Sequence, residues 1–331
     1  MSHPILSLSR RAAIAALGAT ALAGVVSPAL AQGAYPTKPI RIVVGYAPGG
    51  SVDMAARVVA DVLTAKLGTT VVVENVSGAA GIVAAQRVVN SAADGYTLLA
   101  GSSNEMAATG LVNPAQKYDP IKDLTPIGLI ATAPVLLVAG SGLPVKNLDE
   151  FIALVKRNPG KYSYGSSGVG STLHFAGELV KQRAGLFITH IPYRGTSALT
   201  SDLAGGTLDF AIVSPTAAAP FLQGGRITAL GITSAQRFPT LPQVPALGEH
   251  PQLKGYDLVG WFALAAPRGL PPEIAQRLSA ALKTGLAEPA YRQRLEAGGA
   301  IPPAGNEDLA QIMRADLQKY AGLVKFANMR E

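Results

Sequence analysis

The sequence contains no cysteine. That absence excludes disulfides, thiolate metal sites, a cysteine nucleophile and a lipid-modified N-terminal cysteine. Charge is sparse as well, at 15% of residues, and the basic residues are scattered rather than gathered into a stripe with aromatics. Nucleic-acid binders carry such a stripe, so that class is set aside. The four histidines, His3, His174, His190 and His250, lack metal-ligand spacing. No acidic pair stands out as a catalytic dyad. After the first thirty residues no apolar run reaches the ~20 residues that cross a bilayer. There is no solenoid-length repeat and no low-complexity tract. The chain is therefore assigned no catalytic residue, no metal and no cofactor.

What is present begins with a leader. Arg10 and Arg11 precede an apolar stretch from Ala12 to Val26, followed by Pro28 and the small-residue pattern Ala29-Leu30-Ala31. This order of charge, apolar run and cleavage site predicts a secretory signal peptide over residues 1–31, and hence a periplasmic mature protein. Ser9-Arg10-Arg11 resembles a twin-arginine signal, whereas Ala13 stands where such signals usually carry a large apolar residue, so Tat and Sec export both stay open. Cleavage after Ala31 leaves 300 residues, enough for two ordinary domains. A chain that is 48% hydrophobic can bury real cores. Its net charge of +7, two of which leave with the leader, is compatible with attracting small anions.

Along the mature chain, short β-branched runs alternate with helical spacing, which predicts an α/β fold with parallel strands. Ile40–Val44, Thr70–Glu74 and Tyr96–Ala100 read as strands. A helix carrying Ala55, Val59, Val62 and Leu63 on one face and another over Ile82–Asn90 lie between them. Strand, helix, strand, helix, strand is half of a doubly wound sheet. A second series starts near Pro134. Asn147 and Glu150 have capping-box spacing, and Asn158-Pro159-Gly160 stops the helix that follows. Further strands are expected at Lys161–Gly165, Phe187–Ile191, Leu208–Val213, Ile227–Ile232 and Leu258–Pro267. Helices are expected near 172–183, 272–287 and 307–326, with a proline-rich extended connection over 237–251.

Ligands in open α/β sheets bind beyond the carboxyl ends of the strands. Three polar, glycine-containing loops fall there: Pro48-Gly49-Gly50-Ser51-Val52-Asp53, Gly101-Ser102-Ser103-Asn104 and Gly165-Ser166-Ser167-Gly168-Val169-Gly170-Ser171-Thr172. Glycine lets the backbone approach a ligand, helix N-termini expose N–H groups, and hydroxyls add donors. Each loop taken alone is equally well an ordinary turn with a serine cap. Asp53 suits helix capping better than holding a water. In the third loop Gly165 and Gly170 have Walker A spacing, but Ser171 stands where the lysine belongs. Leu173 occupies the third glycine position of a dinucleotide motif, and Gly165-Ser166-Ser167-Gly168-Val169 breaks a nucleophile elbow at its last residue. An uncharged nest of amides and hydroxyls remains, which suits a carboxylate. His174 and His190 are read as structural hydrogen-bonders.

"YPTKPIRIVVGYAPGGSVDMAAR" (Tyr35–Arg57), "VVVENVSGAAG" (Val71–Gly81), "DGYTLLAGSS" (Asp94–Ser103), "YDPIKDLTPIGLI" (Tyr118–Ile130), "NPGKYSYGSSGVGSTLHFAGEL" (Asn158–Leu179), "HIPYRGTSALTSDLAGGTLDF" (His190–Phe210) and "SAQRFPTLPQVPALGE" (Ser234–Glu249) occur in that order. Together they resemble the Bug family, the TctC-like solute-binding proteins of tripartite tricarboxylate transporters, over nearly all the mature chain. The resemblance implies a Venus flytrap of the periplasmic-binding-protein type, with two doubly wound lobes and a hinge of crossing strands. One lobe would be residues 32–133 plus 258–331, the other 134–257. It implies a monomer that captures a small organic carboxylate and passes it to membrane transporter subunits. A sensor kinase as partner, or a secreted hydrolase, are the alternatives. The family's carboxylate loops match Gly49, Gly50, Ser51 and Asp53, and Ser166, Ser167, Val169, Gly170 and Ser171. Ser102 and Ser103 join them from the second loop, and Gly195 and Thr196 of the "YRGT" turn line the cleft. Several relatives carry an acidic residue that meets a ligand amine where this chain has Ser214, which favours an organic acid without an ammonium group.

Overall fold

A computed structural model describes residues 35–329. The predicted signal peptide lies outside the described residues.

Ile40–Val44 (β1) buries Ile40, Ile42, Val43 and Val44, as expected of a strand covered on both faces. Glycine-rich residues 47–50 then lead into Ser51–Leu67 (α1). Val52, Ala55, Ala56, Val58, Val59, Val62 and Leu63 form its buried face, and Gly68 closes it in the left-handed conformation. Val71–Asn75 (β2) and Thr97–Ser102 (β3) flank β1 in parallel, and Ile82–Val89 (α2) makes the second crossover. A π-helical turn at Asn104–Ala108 follows β3, and the single-turn helix Pro120–Asp123 (α3) precedes Leu124–Ala133 (β4).

Only Pro134 and Val135 separate β4 from Leu136–Gly140 (β5), which opens a second sheet. Leu148–Arg157 (α4) is capped by Asn147, whose side chain accepts from the Glu150 N–H while donating to the Glu150 carboxylate. Ser163–Ser166 (β6), Thr172–Ala184 (α5), Thr189–Pro192 (β7), Thr196–Gly205 (α6), Phe210–Val213 (β8), Pro215–Gln223 (α7) and Ile227–Ile232 (β9) complete this half. The chain then returns, and Gly260–Pro267 (β10), buried at every residue, inserts between β3 and β4. Pro272–Leu286 (α8), Pro289–Ala297 (α9) and Leu309–Ala327 (α10) end it.

The sheets have strand orders β2-β1-β3-β10-β4 and β7-β6-β8-β5-β9. Each has three parallel strands, and each also contains a strand antiparallel to its neighbours, β10 in the first and β5 in the second. The purely parallel arrangement expected from β/α alternation gives way to mixed sheets because the chain crosses between them twice. The two crossings are tied together by Thr233, which is fully buried. Its hydroxyl accepts from the Val135 N–H at 2.9 Å, its N–H donates to Val135 O at 2.9 Å, and its carbonyl accepts from the Leu258 N–H at 3.1 Å. This is a hinge of crossing segments between two α/β halves.

One apolar cluster runs through the hinge from the first sheet (Val43, Leu99, Met106) to the second (Leu137, Phe151, Phe210). The C-terminal helix α10 contributes Tyr320, stacked on Phe175 of α5 at 4.5 Å between ring centroids. Its Asp316 accepts from the indole N–H of Trp261 in β10 at 2.7 Å. One local expectation changes: Phe187, placed in a strand from sequence, lies ahead of β7 and is 69% exposed, packed over Gly160.

Candidate functional site

The loops after β1, β3, β6, β7 and β8 all lie at the carboxyl ends of parallel strands or of β8. At the first, Gly49 has φ +83°, and Gly50 caps α1 without offering any side-chain acceptor, so the first-turn N–H groups are not claimed by a cap. Asp53 is 2% exposed and does not face outward. Its carboxylate accepts from the Gly49 N–H (2.9 Å), from Arg57 Nε (2.9 Å) and an Arg57 terminal nitrogen (3.0 Å), and from Asn75 Nδ2 (2.8 Å). Burial alone would raise this carboxyl, but the hydrogen bonds from Arg57, Gly49 and Asn75 outweigh it and hold the group below its ordinary value. Asp53 thus anchors the glycine corner from the third helical residue, in the manner of the acidic arm of a capping box.

At the second loop Ser102 and Ser103 are buried. The Ser102 hydroxyl donates to Glu105 Oε2 at 2.7 Å, and Ser103 Oγ lies 3.1 Å from Thr172 Oγ1 of the opposite half. Asn104 Oδ1 accepts from both the N–H (3.1 Å) and the hydroxyl (3.0 Å) of the same Thr172.

At the third loop Ser166 is fully buried; its hydroxyl meets His190 Nε2 at 2.7 Å and accepts from the Gly168 N–H at 3.2 Å. Ser171 caps α5, accepting from the His174 N–H at 3.2 Å and donating to Gly168 O at 2.7 Å. Gly170 has φ +74°, and a Cβ there would lie 2.4 Å from Val112 Cγ2 of the first half. Beneath the loop the His174 and His190 rings stack at 3.7 Å and 11°, and His174 Nδ1 accepts from the Gly170 N–H at 3.3 Å. Burial, with the neighbouring ring and Lys181, pushes His174 down to about 3; burial and Lys181 push His190 down to about 4. Both are neutral hydrogen-bonders at neutral pH, which is the role read from sequence.

Gly195 caps α6 with no side chain, while Ser214 caps α7, accepting from the Ala217 N–H at 3.3 Å beside Thr216 Oγ1 at 3.2 Å. Among the described residues the hydroxyls of Ser51, Ser167 and Thr196 take no hydrogen bond. Val169 is half-buried beside them. Contacts join neighbouring loops. Tyr46, just before the first loop, meets Asn104 of the second, and Asn104 meets Thr172 of the third. Gly168 faces the Tyr193 carbonyl of the fourth, and Thr216 packs at Gly299 while Met54 of α1 packs at the adjacent Gly298. Two cavities lie elsewhere. One, of about 370 Å³, sits at the amino ends of β1 and β3 against Lys38, Arg41 and Asp94. The other, of about 510 Å³, is a largely apolar groove beside α7. Neither is lined by the glycine and serine loops.

A family model described as the tripartite tricarboxylate transporter family receptor, TctC, matches residues 55–329. The chain belongs to the TctC family. It is 36% identical to protein BugT of Bordetella pertussis over 309 residues, covering 92% of this chain and 94% of BugT. Among solved structures it is similar to Rpa4515 of R. palustris with adipate (34% identity, TM-score 0.78, covering 89% of this chain and 99% of that one). It is also similar to MatC from Rhodopseudomonas palustris with bound malate (32% identity, TM-score 0.74, covering 88% and 100%). TctC proteins are periplasmic solute-binding receptors of tripartite transporters, and this chain has their two-halved α/β architecture.

In this TctC protein several residues that join the loops were not singled out from sequence. Asn104 and Thr172 were noticed only as loop members, and Glu105, Tyr46 and Thr216 not at all. The Gly298-Gly299 pair, between α9 and the bridge that Ile301 makes to Thr132 of β4, carried a readable signal: paired glycines outside a helix mark close backbone approach.

Proposed function

We propose that this TctC receptor is exported with residues 1–31 as its leader and captures a small organic acid between a lobe of residues 32–133 plus 258–331 and a lobe of residues 134–257. It then delivers the acid to the membrane subunits of its transporter. The observation that carries the ligand class is a set of neutral donors at the carboxyl ends of the strands: the uncapped first turns of α1 and α6 and the unengaged hydroxyls of Ser51, Ser167 and Thr196. Helix N-terminal amides and hydroxyls recognise an anion without a formal counter-charge. Adipate on Rpa4515 and malate on MatC supply the analogy for a carboxylate, and a dicarboxylate in particular. Gly49, Gly50, Ser51, Ser167, Val169, Gly170, Gly195, Thr196 and Ser214 are the proposed contact residues, with Asp53, Ser102, Ser103, Ser166 and Ser171 holding the loops in shape. Ser214 puts no carboxylate in front of a ligand amine, which favours acids without one.

The hydrolase alternative has one feature in its favour, the 2.7 Å pair of Ser166 and His190. Against it, Ser166 is fully buried and its oxygen is already engaged with both Gly168 and His190, so no acyl carbon can reach it. A thermal-shift panel of adipate, malate, citrate, benzoate and amino acids tests the proposal. A ligand at a hundred times its Kd should stabilise by about 2.7 kcal/mol. Ser167→Ala should weaken binding while the melting temperature of the unliganded protein stays unchanged. Stabilisation by amino acids alone, or by nothing in the panel, would refute the carboxylate assignment.

A further inference from the structure

Four acidic side chains are buried among the described residues: Asp53, Glu105, Glu178 and Asp316. Three have a cation against them. Arg57 meets Asp53 at 2.9 Å, Lys181 meets Glu178 at 2.8 Å and Lys319 meets Asp316 at 3.3 Å. Glu105 has no exposed area and no cation. Its carboxyl sits between two loop backbones that only glycine leaves open: a Cβ on Gly81 would lie 2.6 Å from its Cδ, and one on Gly101 would lie 2.9 Å from Oε1. Oε1 accepts from the Ser102 N–H at 2.8 Å, and Oε2 lies 2.7 Å from both the Ser102 hydroxyl and the Tyr46 phenol. The backbone carbonyl of Glu105 accepts from the Tyr118 phenol at 2.8 Å.

One carboxyl therefore joins the segments that follow β1 (Tyr46), β2 (Gly81) and β3 (Ser102). The connection continues outward, because the Asn104 side-chain amide donates to the Tyr46 oxygen at 3.3 Å and its Oδ1 receives the two Thr172 donors. The network accommodates two proton counts. With Glu105 ionised, the Tyr46 and Ser102 hydroxyls both donate to Oε2. With Oε2 protonated, it donates to the Tyr46 oxygen, and the phenol turns its proton to Ala80 O, 3.1 Å away. No buried donor or acceptor is orphaned in either state.

We propose that Glu105 is a positioning residue of the anion site, holding the three first-half loops in register, and that it is protonated in the ligand-bound protein. This rests on the carboxylate reading given above. A buried carboxylate without a counter-ion, one residue from the Asn104 clasp, repels an incoming anion; the same group protonated does not, and the proton comes from the buffer. Burial raises the Glu105 carboxyl above its ordinary value. The titratable groups facing it, the Tyr46 and Tyr118 phenols, are themselves held above the ordinary phenol value and stay neutral. Affinity for a carboxylate should then fall as pH rises through the Glu105 value.

Calorimetric titration with adipate, across pH and in buffers of different ionisation enthalpy, tests this on wild type and Glu105→Gln. Wild type should lose more affinity than the glutamine variant as pH rises through the Glu105 titration, by about tenfold if the two charges stand roughly 10 Å apart. Net proton uptake should accompany binding to wild type and vanish in the variant. Glu105→Ala should weaken binding at every pH, with glutamine restoring it at the alkaline end. Should the glutamine variant fail to fold, proton uptake by wild type decides alone. Parallel pH curves for both proteins, or binding to wild type without proton uptake, would overturn the assignment while leaving the carboxylate reading intact. Binding by none of the panel acids to either protein would overturn both.

Discussion

Acid should unfold this protein through the stacked histidine pair before it does so through the carboxylates. His174 and His190 lie face to face at 3.7 Å, with His174 Nδ1 occupied by the Gly170 N–H and His190 Nε2 against Ser166. A proton on either ring puts a charge in a buried site, and one on His174 Nδ1 also expels the Gly170 donor. The native rings titrate at about 3 and about 4, against ~6.5 in the unfolded chain. Because the native values are depressed, the unfolded state binds more protons over that window. The pair's contribution is complete above about pH 6.5 and is lost progressively as pH falls towards 4. At pH 5 the linkage amounts to about 2 kcal/mol for each ring. Both native rings are neutral at pH 5, so the two contributions add to about 4 kcal/mol for the pair. Urea unfolding at pH 8 and pH 5, for wild type and for the double variant His174→Gln with His190→Gln, measures it. Wild type should lose that amount relative to the variant, whose absolute stability is lower but whose pH slope is flatter. Glu105, raised by burial, acts with the opposite sign, and the comparison cancels it because both proteins carry it. Equal slopes for the two proteins would refute the account.

Gly170→Ala meets both a left-handed backbone and Val112 Cγ2 at 2.4 Å. It should cost about 2–4 kcal/mol, read from the melting temperature, with partial recovery on adding Val112→Ala. Asp53→Ala leaves the Gly49 N–H without its acceptor and removes one of the two that Asn75 Nδ2 has. A loss of about 1–3 kcal/mol and weaker carboxylate binding should follow, measured by denaturation and by calorimetry.

The sequence was most legible where one residue type has one physical use. Ile40–Val44 and Ile227–Ile232 agree with the structure to the residue, each an apolar run bounded by turns. Gly49, Gly170 and Gly195 fall where positive φ is required, so the loop glycines were sound guides. The strands β4 and β5 have no local signature of their own, because Pro134 falls between them and marks a break in the apolar pattern. The helices α6 and α7, built from alanine, threonine, glycine and proline, have weak periodicity. Within the site, sequence could not distinguish a serine that faces outward from one already engaged: Ser166 and Ser167 are adjacent, yet the first is bonded to His190 and the second is free. Tertiary placement of Glu105 against the distant Gly81 leaves no local trace at all.

The position of β10 dictates the order in which the molecule can be assembled. The strand lies inside the first sheet, between β3 and the edge strand β4, yet it is encoded after the whole of the second. During synthesis β4 has no neighbour on the side that faces β3 until some 260 residues have been made. Only α10, later still, covers Trp261 and Phe175. A chain emerging in sequence order therefore pairs the strands of its second sheet before its first sheet can close.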